Sequence, residues 1–231
     1  STGTRISAGG GGTQASDALD DVGFHQAHLT MTDLLDTGLT AKIGRQEIVL
    51  DGHRLFGHTG WTQGAQSSDA IVLVHAAGNH SVIYAYVAGI EGEAIDTNTD
   101  INVDFNVFRY NLQGVLGGNF TGMFVITDDN NTGGAGFDDN NTWYTVGARQ
   151  AGKLAGLDYR VEYYHQFGDG AVEANAAGYA NAYTNVTAGT ALVSSDIDRN
   201  ASMVGVRVGK TFKNVQWSPT VTLWFDSLSG T

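Results

Sequence analysis

Cysteine is missing altogether from the 231 residues, and proline occurs once. A chain without thiols has no disulfide framework, and it can cross an oxidising compartment without mispairing. Long apolar runs are missing as well. No stretch approaches the roughly 20 continuous apolar residues that a spanning helix needs, and mean hydropathy is -0.14, which excludes a helical membrane bundle. Basic residues are scarce: 12 Lys and Arg stand against 24 Asp and Glu, for a formal net charge of -12. That balance argues against a nucleic-acid partner. Ser1–Ser16 is rich in Gly, Ser and Thr and carries no apolar targeting core; a secreted protein would already have shed one. The Gly9–Gly12 run lacks the flanking strand and helix of a phosphate loop and reads as a flexible loop.

What is present is an alternation of short and long gaps between hydrophobic runs. Tight turns are expected near Leu35–Thr37, Ala76–Asn79, Leu116–Gly118, Gly152–Ala155 and Phe212–Gln216. Long polar stretches lie between them, at Asp51–Ser67, Glu91–Val103, Asp128–Asn141 and Gly168–Asn200. Short turns at one end and long loops at the other form the pattern of an up-and-down transmembrane β-barrel. Acids crowd into the long stretches, among them Asp96, Asp100, Asp128, Asp129, Asp138, Asp139 and Asp169, where they read first as solvated loop tips.

The runs themselves have period two. In Val107–Gln113, Phe108, Tyr110 and Leu112 share one face; Val107, Arg109, Asn111 and Gln113 share the other. In Leu157–Phe167, Leu157, Tyr159, Val161 and Tyr163 oppose Asp158, Arg160, Glu162 and Tyr164. In Pro219–Asp226, Val221, Leu223 and Phe225 oppose Thr220, Thr222, Trp224 and Asp226. One side is apolar and the other wet. A soluble sandwich turns the apolar side inward; a porin turns it to lipid and lines a lumen with the charged side. Charges on the polar faces favour the porin, as do aromatics near strand ends, such as Tyr84, Tyr86, Tyr144, Tyr163 and Trp217. The fold class expected is all-β: an up-and-down antiparallel transmembrane β-barrel, with about ten strands of tilted membrane length visible.

The run Gly44-Arg45-Gln46-Glu47-Ile48, then Asp51-Gly52-His53-Arg54-Leu55, Trp61 and Ser68-Asp69-Ala70, resembles the alginate export family of outer-membrane porins. Leu157-Asp158-Tyr159 through Gln166-Phe167-Gly168 resembles a later strand of that family, and Trp224-Phe225-Asp226 with Ser229-Gly230 resembles a strand end. The resemblance covers most of Phe24 to Thr231. It implies a large antiparallel barrel in the outer membrane of a Gram-negative bacterium, in contact with lipid and passing anionic polysaccharide or smaller anionic or sugar-like solutes. Porins of that size have roughly 16–18 strands, so residues 1–231 are expected to be a single barrel domain, incomplete at both ends; a small closed barrel is the alternative. The basic content is low for a polyanion conduit, and Gln66-Ser67-Ser68-Asp69 stands where the family often has a basic residue. The porin reading therefore transfers better than the alginate reading.

The candidate pore-lining residues are Arg45, Glu47, Arg54, Arg109, Asp158, Arg160, Glu162 and Arg207. Alternation places Arg109, Asp158, Arg160, Glu162 and Arg207 opposite the apolar positions. Arg45, Glu47 and Arg54 rest on the resemblance. They build either a polar cluster at a constriction or a structural ion pair fixing the loop to the wall. Asp128–Asn141 is oxygen-rich enough to ligate calcium but lacks the EF-hand spacing. No metal or cofactor site is otherwise expected. No nucleophile and base stand together, and Glu162 has no carboxylate companion for glycoside hydrolysis, so the chain does not read as an enzyme. A secreted all-β binding or surface-structural protein is the competing function.

Overall fold

A computed structural model describes residues 24–58, 66–88, 103–129, 141–170 and 197–229. Ten strands run through them: β1 (Ala27–Leu34), β2 (Leu39–Gln46), β3 (Ser68–Ala77), β4 (His80–Ala88), β5 (Val103–Val115), β6 (Gly118–Asp129), β7 (Asn141–Leu154), β8 (Leu157–Gly170), β9 (Ile197–Thr211) and β10 (Thr220–Ser229). They form one sheet in sequence order, with neighbours antiparallel. Among the described residues β1 and β10 do not pair, and the sheet is open.

The connections alternate as predicted. All five tight turns fall between the strands that the sequence places around them, and the four long connections fall at the opposite ends. Two short turns place both central residues at positive φ, Leu116 with Gly117 and Ala155 with Gly156. This type I′ geometry matches the right-handed twist of the paired strands. The oxygen-rich loop proposed for calcium lies, between its ends, outside the described residues, as does Trp61.

Residues directly opposite one another in an antiparallel sheet share a face, so each face can be followed across the strands. One row runs Tyr84, Phe108, Phe124, Val146, His165; the next runs Tyr86, Asn106, Ile126, Tyr144, Phe167. Their rings form a belt, with centroids 5.0 Å apart for Tyr84–Phe108, 6.1 Å for Phe124–Tyr144 and 5.4 Å for Tyr144–Phe167. Tyr110, Leu112, Val161, Val221 and Leu223 lie on the same face. Large apolar side chains stand exposed there, Leu223 at 72% and Val161 at 47%. A sandwich would have covered them.

The other face has a cover of its own. Residues 47–58, just beyond β2, fold back onto it. Their Ile48, Leu50 and Phe56 pack against a buried cluster of Ala70, Ala85, Val87, Val107, Met123 and Val125. The segment closes on itself through Leu50 N–H to the Phe56 carbonyl at 3.1 Å, around a left-handed corner at Asp51, Gly52 and His53. Its Arg54 reaches Asp226 on β10. At about 4.8 Å per strand a flat sheet would put β10 about 38 Å from β2. A turned segment of this length cannot span that distance, so the sheet curls toward this face.

Candidate functional site

Two ion-paired anchors hold the segment to the curled face. Asp51 accepts two hydrogen bonds from Arg109 of β5: Nε at 2.9 Å and Nη2 at 2.7 Å. Arg54 donates through Nε and Nη2 to Glu162 Oε1 on β8, at 3.0 and 2.6 Å. It also donates to both carboxylate oxygens of Asp226 on β10, at 3.3 and 3.2 Å. Burial opposes the Arg54 charge, but the hydrogen bonds it donates to Glu162 and Asp226, with their negative charges, outweigh it and raise its pKa above the ordinary arginine value. Forked guanidinium contacts of this kind fix orientation as well as adding energy.

Glu162 is the hub. Its side chain is 1% exposed, and Arg149 Nε and Arg160 Nε stand 3.8 and 3.7 Å from its oxygens. The carboxylate occupies the space above Gly205, where a Cβ would lie 2.8 Å from Oε1. One row further, Arg160 faces Arg207, which faces Trp224. Guanidinium carbons of Arg160, Arg54 and Arg207 lie 5.1, 5.8 and 5.8 Å from the Trp224 ring centroid. The electron-rich ring face offsets part of the repulsion between these cations. Trp224 Nε1–H donates to Asp226 at 2.9 Å.

Thus Arg54, Arg109, Arg160, Glu162 and Arg207 gather on one face. Asp158 shares it but sits at the turn end, paired with Lys153 at 3.1 Å and largely solvated. The expected joint cluster of Arg45, Glu47 and Arg54 needs correction. Arg45 forks onto Asp69 of β3 at 3.0 and 2.8 Å, in the row adjoining Ile43 and Ile71 on the apolar face. Glu47 meets His25 at 2.8 Å, and that hydrogen bond is the main reason its carboxyl lies below its ordinary pKa. The physical reason lies at Gly44. Its φ of +120° brings β1 so close that any Cβ would strike the Ala27 carbonyl. Gln46 is 2% exposed, its amide donating to the Lys42, Gly44 and Ala70 carbonyls. The Gly-Arg-Gln-Glu run ties β2 to its neighbours, whereas Asp51-Gly52-His53-Arg54 forms the lock. Asp51, Arg149, Trp224 and Asp226 are not among the pore-lining candidates read from sequence. Alternation in Pro219–Asp226 had already put Trp224 and Asp226 on the polar face.

A curled meander with a lipid-type aromatic belt outside, charges inside and a segment folded over those charges is the wall of a transmembrane β-barrel. The family model described as alginate export matches residues 1–231. The chain belongs to the alginate export family, whose members are outer-membrane channel proteins. Neither a curated protein nor a solved structure matches the chain.

Proposed function

We propose that this chain builds the wall and the constriction of a Gram-negative outer-membrane channel for anionic polysaccharide or smaller acidic or sugar-like solutes. The observation that carries the reading is the segment 47–58, locked by Asp51 and Arg54 onto the face that bears Arg109, Arg149, Arg160 and Arg207. A segment folded inward narrows a lumen, and fixed guanidinium groups around the gap attract anions. Exposed apolar side chains on the opposite face weigh against a secreted binding protein, because they favour lipid over water. Lipid does not tolerate bare strand edges, so a membrane-embedded wall needs the edges of β1 and β10 paired.

Planar-bilayer recording under a salt gradient tests this. The expected result is a conducting channel with a mild anion preference that falls in the Arg160→Gln/Arg207→Gln double variant. A folded protein that forms no channel, or a strong cation preference that survives neutralising the outer-loop aspartates, would overturn it.

A further inference from the structure

Toward the loop end of the curled face, beyond the ion-paired lock, the segment and the wall line a half-open cavity of about 280 Å³. That is near the lower end of small-molecule sites, about 300–1,000 Å³. The lock does not use it. Its floor is a single row of facing residues: Val87, Phe105, Thr127, Trp143, Gly168 and Arg199. Its roof is Ile48, Leu55 and Phe56 of the segment, with Phe56 standing edge-on to Phe105 at 5.7 Å.

Gly168 shapes one end. It adopts φ +119°, and a Cβ there would lie 2.9 Å from Trp143 Cα. The missing side chain leaves a gap, and Arg199 crosses it to lie 4.2 Å from the Trp143 ring centroid. Arg199 is the one charged side chain among the described residues that line the cavity. Stacking holds the guanidinium in place, and its five N–H groups allow it to bind more than one partner. Beside it Gln166 donates to the Thr145 hydroxyl at 3.1 Å, and Thr127, Ser68 and Gln66 add neutral polar groups further along the lining. The floor and roof elsewhere present mainly carbon. A ligand that fits must therefore be apolar over one ring and anionic at one end. Hydroxyls spread around a sugar ring would lose water against Ile48, Leu55, Phe56, Val87, Phe105 and Val125, which offer them no partner.

We propose that this cavity binds a small carboxylate borne on a flat or alicyclic apolar ring. The ring packs against the Phe56–Phe105 pair, and the carboxylate meets Arg199. This goes beyond passage of solute through the channel, because binding is measurable without any conduction.

The test uses the full chain folded in detergent micelles, with heat-modifiable migration as the folding check. Titration calorimetry is run with benzoate and cyclohexanecarboxylate, with benzamide as the neutral counterpart and galacturonate as the hydroxylated one. Saturable binding of the first two is expected, with benzamide and galacturonate at least tenfold weaker. Arg199→Gln should weaken benzoate about tenfold or more and leave benzamide unchanged. Leu55→Trp should abolish binding by filling the cavity; it changes the segment and not the wall, so it remains informative if Arg199→Gln fails to fold. The proposal fails if the folded protein shows no saturable benzoate binding, if benzamide matches benzoate, if galacturonate binds more tightly, or if neither variant alters affinity.

Discussion

Replacing Arg54 by alanine should release the segment 47–58 from β8 and β10 while leaving the wall folded. Arg54 makes four charge-assisted contacts, two to Glu162 and two to Asp226. Breaking a buried pair by removing one partner costs about 3–5 kcal/mol, because the other charge is left uncompensated. Two features reduce that here. Glu162 keeps Arg149 and Arg160 within 4 Å, and Arg54 is itself 23% exposed. About 2 kcal/mol is the reasonable expectation, a roughly 30-fold shift toward the undocked segment at about 1.4 kcal/mol per tenfold. Arg109–Asp51 and the Phe56 contacts remain, so undocking should be partial, and Asp51→Asn combined with Arg54→Ala should carry it further. The chain has no cysteine, so one introduced at Leu50, which packs against the wall, is a unique probe. Maleimide labelling at that site should accelerate in Arg54→Ala and again in the double variant, and single-channel conductance should rise in parallel. If labelling and conductance stay at their starting values in the double variant, the lock does not hold the segment, and the constriction reading loses its support.

Three further outcomes are expected. Protease added to intact cells should cut within residues 130–140 and 171–196 and spare the turns at Gly78–Asn79 and Ala155–Gly156, because such barrels keep their short turns periplasmic. Arginine on the apolar face should cost more at mid-strand than near a turn: about 2–4 kcal/mol for Val146→Arg against about 0–1 kcal/mol for Leu112→Arg, read from urea unfolding in micelles. Leu112 pairs with His80 beside the β3–β4 turn, whereas Val146 is central in β7. Glu47, depressed mainly by its hydrogen bond to His25, contributes stability that is present above its ordinary pKa and lost as pH falls through the lowered one. Thermal unfolding of Glu47→Gln should therefore lack that acid step and differ little from the parent below it.

The wall was legible because its signals are local. Period two in Val107–Gln113 and Leu157–Phe167 fixes both faces, and tight turns followed by long polar gaps fix strand order without any knowledge of contacts. The segment 47–58 was not legible as a cover. Its apolar residues, Ile48, Leu50 and Phe56, follow no extended period once the chain turns left-handed at Asp51, so nothing local says which surface they meet. Arg54 emerged from the resemblance, and its partners lie 108 and 172 residues away, beyond the reach of any spacing rule. Arg45 misled because a charge next to a motif glycine looks the same whether it faces a lumen or ties two strands together. Only register distinguishes the two.

Net charge misled in another way. The chain is acidic overall, yet on the curled face basic positions outnumber acidic ones: Lys42, Arg54, Arg109, Arg149, Lys153, Arg160, Arg199 and Arg207 against Asp51, Asp129, Asp158, Glu162 and Asp226. Asp51, Glu162 and Asp226 are engaged by the lock and Asp158 by Lys153. Arg207 forms no ion pair among the described residues and rests on Trp224. No carboxylate contact therefore neutralises it directly. Asp138 and Asp139 lie outside the described residues; at 0.1 M salt the screening length is only about 10 Å, so a charge acts on the path only from close by. Selectivity should then follow the nearby cations and not the total charge. Arg207→Gln should move the reversal potential toward cations more than Asp138→Asn with Asp139→Asn moves it toward anions, and the gap should widen between 0.01 and 0.1 M salt as the loop charges are screened. A larger shift from the loop pair at 0.1 M would show that the outer acids, and not the guanidinium groups around Trp224, set the selectivity of the pore.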